Sequence, residues 1–515
     1  MLVKVFSASV QGLSAIPVTI EVNSSRGIKF FLVGLPDNAV KESHERIVAA
    51  VENSGYRFPT KQLVVNMAPA DIRKEGAGYD LPLAIGILAT EEKVKLDNLE
   101  RTMMIGELSL DGTLQPVKGA LPIAIKAREM GFENLIVPEQ NVREAAVVNQ
   151  LKVFGAKHMN QVVQFLNGED VLECTDVDTR AEFYAQQSNF DFDFADVKGQ
   201  AHVKRALEVA AAGGHNLIMI GPPGSGKSMM AKRLPSILPP LSLSESLETT
   251  QIHSVAGKLS QDCSLIAQRP FRSPHHTISQ VALVGGGQNP QPGEVSLAHN
   301  GVLFCDELPE FSRSVLEVLR QPLEDRQINI ARAKYSVTYP CSFMFVASMN
   351  PCPCGYYNHP QKSCVCTPGQ IHRYLHKISG PLLDRIDLQI EITPLSFEEM
   401  SRTAPGENSA TIRERVIRAR QMQANRYADC KGVHCNAQMN SQLLRKFAKL
   451  DEQSTEMLRT AMTRLQLSAR AYDRILKVAR TIADLEESEN IQTHHLAEAI
   501  GYRNLDRDDW AERGT

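Results

Sequence analysis

Gly221-Pro-Pro-Gly-Ser-Gly226-Lys227-Ser228 lies between a short apolar run, 216–220, and a helix-periodic stretch, 229–238. That order is what a phosphate-binding loop requires. A loop of the form G-x-x-x-x-G-K-[ST], placed between a strand and a helix, lets backbone N–H groups converge on phosphate oxygens, and the helix N-terminus adds its dipole. Gly221, Pro222, Pro223, Gly224, Ser225 and Gly226 form the expected cradle. Lys227 is expected to reach the β- and γ-phosphates of a nucleoside triphosphate, and Ser228 to ligate Mg2+.

The same chemistry needs acidic partners farther along the chain. Residues 302–305 are apolar and end in Asp306-Glu307. Asp306 is the expected second Mg2+ ligand, and Glu307 the group that orients and activates water. A third apolar run, 342–348, ends at Met349-Asn350, where an amide can position the attacking water or the γ-phosphate. Apolar strands alternate with helical patterns from about Val197 to Pro394, the pattern of an α/β fold with a parallel sheet and crossover helices.

On either side the pattern changes. Residues 1–170 read as a mixed α/β domain, with strands expected at 17–22, 30–33 and 63–66 and helices at 38–53 and 81–89. Residues 171–195 are acidic and partly aperiodic and are expected to be a linker. The ATPase-like core then spans 196–395. The Pro- and Gly-containing stretch 395–408 marks a second boundary, and 396–515 is expected to be a helical lid, with helices at 410–427, 438–450, 454–465, 469–485 and 493–502. Three domains suit a chain of 515 residues, taking about 150 residues per domain.

Composition narrows the function classes. Hydrophobic residues are 43% and charged residues 22%, which excludes a disordered chain. Lys and Arg number 56 against 59 Asp and Glu, a net charge of −3, so the chain lacks the global basic footprint of a DNA-coating protein. A local basic channel would still vanish in that sum. The chain has one Trp and 6% aromatics, so aromatic stacking on single strands is not its theme. The first ten residues lack a signal-peptide pattern and no run approaches membrane-spanning length, so a soluble cytoplasmic protein without a membrane partner is expected.

GPPGSGKS, the strand ending in Cys305-Asp306-Glu307, and Asn350 within ASMNPCPCG resemble Walker A, Walker B and sensor 1 of an AAA+ ATPase. RPFRSPHHTISQVALVGGG, PGEVSLAHNGVLFCDELPEF, SGPLLDRIDL and LSARAYDRILKVARTIADL are similar to the ComM/YifB family of magnesium-chelatase-like AAA+ proteins, and the likeness covers nearly the whole chain. The resemblance implies a homo-oligomeric ring, a hexamer, with ATP at the subunit interfaces. It makes Arg385 the arginine finger acting on the neighbour's ATP, which is worth about 10³–10⁵ in rate where it operates. It places sensor 2 at Arg470, with Arg474, one turn on, as the alternative.

Family members resemble hexameric DNA translocases that drive branch migration during DNA uptake and recombination. The gap between Ser228 and Val302 is long enough for an extra hairpin, with Arg269, Arg272, His275 and His276 near the turn Gly285-Gly286-Gly287. A second hairpin is expected at 327–339, with Arg332 and Lys334 near its tip. Six copies of a few cations would line a basic pore. The competing location for these residues is a subunit interface or solvent. The competing function is a magnesium-chelatase-like or protein-remodelling ATPase acting on a protein partner.

Four of the ten cysteines, Cys352, Cys354, Cys364 and Cys366, fall within fifteen residues as two C-x-C pairs. Four thiolates suit tetrahedral Zn2+, and a structural zinc site is expected there, with His359 as a weaker fifth ligand. Free buried thiols are the alternative. Residues 63–131 are similar to the Lon protease domain, a ribosomal-S5-like fold. The resemblance places Gly78 where the serine nucleophile would stand and Leu121 where its lysine partner would stand, with Lys74, Lys118 and Lys126 off-register. Without an oxygen nucleophile no acyl-enzyme forms, so a binding or ring-assembly module is expected rather than a protease.

Overall fold

The computed structural model describes residues 1–169, 171–287, 290–332, 335–394, 406–465 and 467–503. The chain divides into two compact units. One comprises Met1–Ala185, Leu243–Ala267 and Ala331–Val337, and the other Gln186–Ser242, Gln268–Ile330 and Thr338–Thr515.

The first unit is built on an eight-stranded mixed sheet. Its strand order is Cys174–Thr175, Lys152–Ala156, Asn134–Pro138, Thr102–Met104, Leu2–Gln11, Ser14–Ser25, Gln62–Ala68 and Phe30–Val33. Leu2–Gln11 and Ser14–Ser25 form an antiparallel hairpin closed by Gln11 opposite Ser14. Gly12, with φ +62°, supplies the left-handed residue such a two-residue turn requires. The helix Asn38–Asn53 starts at Asp37, whose carboxylate accepts the Val40 N–H. The helix Asp80–Thr90 is buried along its whole length.

Two pieces join this unit from outside the 1–170 span. The stretch expected as a linker carries the edge strand Cys174–Thr175 and the helix Thr179–Gln186, whose Phe183 is buried. The helix Leu243–Ala256 belongs here as well, since Ser254 O accepts the Gly119 N–H at 3.1 Å, just ahead of the helix Ala120–Glu129.

The second unit holds a five-stranded, fully parallel sheet. The order is Phe271–Arg272, Val302–Cys305, Met344–Met349, Leu217–Ile220 and Leu388–Glu391. Its strands are apolar because both faces are covered. Leu217, Met219, Val302, Phe304 and Val346 share one core with the helix Ala201–Gly213 and with Ile475, Val478, Ala479 and Ile482 of the helix Ala469–Leu485. The C-terminal helices Ser409–Arg426, Ser441–Phe447, Glu452–Arg464, Ala469–Leu485 and Thr493–Gly501 complete this unit.

The expected hairpins form differently. Arg269 and Arg272 are not on a hairpin, because Phe271–Arg272 is the edge strand of the parallel sheet, paired with Val302–Cys305. The ribbon in this region is Gly285–Gly286 with Gln291–Pro292. The second expected hairpin is present as the ribbon Gln327–Arg332 with Tyr335–Pro340. Arg332 lies at the end of its first strand, and Lys334 falls outside the described residues. Among the described residues, no helix is long and apolar enough to cross a membrane.

Candidate functional site

The phosphate loop follows Leu217–Ile220 and opens the helix Lys227–Arg233. Gly224 and Gly226 have φ of +79° and +89°, a region where a side chain is strained, so glycine is what lets the backbone fold round an anion. The helix is shorter than the periodicity suggests and turns 3-10 at Leu234–Ile237, where Pro235 cannot continue it.

Lys227 is buried. Its Nζ donates to Gly221 O (2.7 Å), Pro222 O (2.9 Å) and Asn350 Oδ1 (3.3 Å). Burial pushes its ammonium below the ordinary lysine range, opposed by the Asp306 and Glu307 carboxylates. Ser228 Oγ donates to Asp306 Oδ2 at 2.6 Å. Asp306 also accepts from Ser348 Oγ through Oδ1, and the Glu307 N–H donates to the same Oδ1 at 3.1 Å. Glu307 sits at φ +53°, a strained value for a side-chain-bearing residue, at the point where the chain leaves the strand.

The structure therefore brings Lys227, Ser228, Asp306 and Asn350 together at the ends of three adjacent parallel strands. This is where open α/β sheets bind ligands. Ser228 and Asp306 place a hydroxyl and a carboxylate side by side, the hard oxygen donors that Mg2+ takes.

Two neighbours of this site are not obvious in the sequence. Ser348 is the single hydroxyl in the buried strand Met344–Met349, and its position two residues before Asn350 is the signal that marks it. His276 Nδ1 stands 4.0 Å from Glu307 Oε2, so a residue expected at a DNA surface lies beside the acidic strand end. The exposed His275 ring lies tilted against His276, with ring centroids 4.1 Å apart.

The other cations have internal partners. Arg269 donates to the carbonyls of Pro239 (2.6 Å), Asn300 (2.7 Å) and Pro240 (3.3 Å). Arg272 makes a two-pronged pair with Glu294 at 2.6 and 2.7 Å. Arg269 is thus engaged by carbonyls and Arg272 by a carboxylate of the same unit.

Arg385 donates to Pro381 O (2.6 Å) and pairs with Glu324. Arg470 is exposed and pairs with Asp384 at 2.7 Å, and Arg474 pairs with the buried Asp387 at 2.7 Å. Burial alone would raise the Asp387 carboxyl, but Arg474, His215 and Lys477 together hold it well below the usual range. None of these partners belongs to residues 221–228, so the structure does not bring the three arginines onto their own chain's loop.

Comparison with known proteins gives the family of the chain. The family described as magnesium chelatase, subunit ChlI, matches residues 193–400, its C-terminal family matches 406–503, and a further ChlI family matches 20–141. The protein YifB of Escherichia coli strain K12 is 45% identical over 503 residues, 96% of each chain. Competence protein ComM of Haemophilus influenzae is 44% identical over 505 residues, 98% of this chain and 97% of its own. The chain belongs to the ComM/YifB family of magnesium-chelatase-like AAA+ proteins. Lon protease 2 of Bacillus subtilis is 32% identical over 111 residues, 22% of this chain and 19% of that protein.

For a ComM/YifB member, AAA+ membership implies ATPase activity with nucleotide and Mg2+. Gly78 has open space beside it, since an added Cβ would meet only Val117 Cγ1 at 3.7 Å. Leu121 is fully buried with Ala124, Leu135 and Val137. Lys74 is buried and donates to Pro69 O, and burial lowers its ammonium. Lys126 pairs with Glu129 at 3.0 Å on the surface, and the Lys118 stem packs beside Gly257.

The four clustered cysteines of this ComM/YifB member converge. Their Sγ atoms all lie within 4.8 Å of one another, with Cys352–Cys354 at 3.3 Å, Cys352–Cys364 at 3.7 Å and Cys354–Cys364 at 3.6 Å. None is in a disulfide. His359 is not part of the cluster, because its Nδ1 accepts the backbone N–H groups of Gln361 and Lys362.

Proposed function

We propose that this chain is an ATP-hydrolysing, ring-forming AAA+ motor of the cytoplasm that acts on DNA, driving branch migration in recombination or natural transformation. The observation that carries the ATPase part is the union of Lys227, Ser228, Asp306 and Asn350 at one strand-end crevice. Bound Mg-ATP supplies the γ-phosphoryl group to be transferred. Lys227 then exchanges its carbonyl partners for phosphate oxygens, while Ser228 and Asp306 hold the metal. Glu307 orients water and takes its proton, and Asn350 fixes the geometry. Arg385 completes the site of the neighbouring subunit in a hexamer, and Arg470, close by on Asp384, serves as sensor 2 on the same side.

The DNA part is supported by the likeness to competence protein ComM and by the ribbon Gln327–Arg332 with Tyr335–Pro340, whose first strand ends at Arg332. The four cysteines are read as a structural zinc site. The Lon-like module, with Gly78 and Leu121 at the reacting positions, is read as a binding or assembly module without protease activity. A second reading, an ATPase that remodels a protein partner, is favoured by the internal pairing of Arg269 and Arg272, which leaves fewer cations for a pore.

A branch-migration assay on a mobile four-way junction separates the two. The motor reading expects ATP-dependent product that disappears in Lys227→Ala. Full ATP hydrolysis without junction movement or DNA stimulation favours the second.

A further inference from the structure

The cysteine loop begins two residues after Asn350 and returns to the phosphate loop. Gly355, buried and at φ +84°, sits so close to Pro223 that a Cβ there would lie 2.6 Å from Cδ and 2.9 Å from Cγ of that proline. Pro223 is the third residue of the phosphate loop. On the other side, Asn350 accepts from Lys227 at 3.3 Å. The knuckle thus touches the nucleotide loop at two points, through Gly355 on Pro223 and through Asn350 on Lys227.

What holds the knuckle in place is small. Its core is Cys352, Tyr357 and Ile371, with Cys354, Cys364, Cys366 and Leu375 packed against them. The helix Pro368–Leu375 starts two residues after Cys366, capped by Thr367, and buries its Ile371 and Tyr374. A core of this size does not fix a loop by burial alone, and small units of this kind use metals as staples. The sulfur geometry fits one. Sulfurs on a tetrahedral zinc, each about 2.3 Å from the metal, stand about 3.8 Å apart, close to the 3.6 and 3.7 Å found between Cys364 and its two partners. Backbone N–H groups of Tyr357 and Cys366 point at Cys352 Sγ (3.3 Å) and Cys364 Sγ (3.4 Å), offsetting the charge that four thiolates leave on a Zn2+ centre.

We propose that a zinc ion held by Cys352, Cys354, Cys364 and Cys366 sets the shape of the phosphate loop through Gly355 on Pro223 and Asn350 on Lys227, so that metal occupancy and nucleotide affinity are coupled. The proposal rests on the zinc reading above and deepens the ATPase reading. Zinc enters as the four thiols release their protons to solvent, with no redox change. Because coupling between two binding equilibria is reciprocal, ATP tightens zinc retention by the same factor that zinc tightens ATP binding.

The test uses the full chain in reducing buffer. Zinc content is measured by metal analysis, and affinity for a fluorescent ATP analogue is measured before chelation, after chelation and after zinc is returned. One zinc per chain, nucleotide binding at least tenfold weaker after removal and recovered on return, and tenfold tighter zinc binding in an equilibrium chelator competition under saturating ATP are expected. Gly355→Ala, which keeps all four cysteines, is expected to retain zinc and bind the analogue at least fivefold more weakly. It carries the test even if zinc removal unfolds the knuckle. Zinc present with nucleotide affinity unchanged in Gly355→Ala and after chelation overturns the coupling but leaves the zinc site standing. A folded, nucleotide-binding chain that holds no zinc overturns both, and loss of nucleotide binding in every form overturns the ATPase reading instead.

Discussion

At the phosphate loop, each position that phosphoryl transfer requires holds a group able to do the work, and the structure gathers Lys227, Ser228, Asp306 and Asn350 within hydrogen-bonding reach. In the Lon-like module the resemblance to an enzyme puts Gly78 and Leu121 at the two reacting positions, and of these residues one has no side chain and one is buried in an apolar cluster. The contrast teaches that a catalytic scaffold and a catalytic site are separable. A sheet and its helices survive on burial alone, whereas a site survives only while specific polar groups stay. The cost of polar groups in the two regions differs accordingly. Lys227 is buried with three oxygen partners and two nearby carboxylates. A lysine at position 121 would be buried among Ala124, Leu135 and Val137.

The sharpest way to break this comparison lies at the active half. If Arg385 serves a neighbour's site, Arg385→Ala lowers ATP turnover by about 10³-fold, and mixing it with Lys227→Ala subunits restores part of the rate. A mixture as inactive as its components would instead place Arg385 in its own chain's structure, through Glu324 and Pro381.

At the other half, Leu121→Lys is expected to destabilise the first unit by about 3 kcal/mol, the order expected for a buried charge without a partner, seen as an earlier thermal transition. A neutral outcome would mean that the pocket still accommodates the Lon lysine.

Glu144 offers a pH test in the same unit. Burial pushes its carboxyl up to about 7, although Asn141, Ser254 and the Ala120 N–H all favour the charged form. A carboxyl whose folded value lies above its unfolded value binds more protons when folded. Its contribution is therefore present at low pH and lost as pH rises from about 4.5 to about 7. Melting of the first unit should fall over that window by the equivalent of about 1–3 kcal/mol, and Glu144→Gln should flatten the profile. An unchanged profile in the variant assigns the slope to other groups.

The smallest effect is expected at Gly78→Ser. With only Val117 nearby and no positive φ to strain, stability should move by no more than about 0.5 kcal/mol, and casein should remain intact. Casein cleavage by this variant would show that a base is already poised in the module.

Much of this was legible in the sequence. The helices expected at 38–53 and 469–485 coincide with the observed ones, because each carries a clean apolar stripe and a polar cap, Asp37 and Ser468. The phosphate loop is legible because its chemistry is local. What escaped is tertiary. The helix Leu243–Ala256 lies in the sequence of the ATPase core but joins the first unit, and periodicity carries no address for docking. The pairing of Arg272 with Glu294 was not legible, because the two stand 22 residues apart in the sequence. Ser348 was silent because a lone hydroxyl in an apolar strand acquires meaning only when the adjacent strand puts Asp306 beside it.

The comparison stands or falls on whether Glu307, strained at the end of its strand, is the group that activates water. Single-turnover hydrolysis of ATP by Glu307→Gln, with nucleotide binding measured in the same sample, tests this most directly. The account predicts binding within a few-fold of the unsubstituted chain and hydrolysis slower by at least about 10²-fold. Hydrolysis at an undiminished rate, with binding intact, would contradict it.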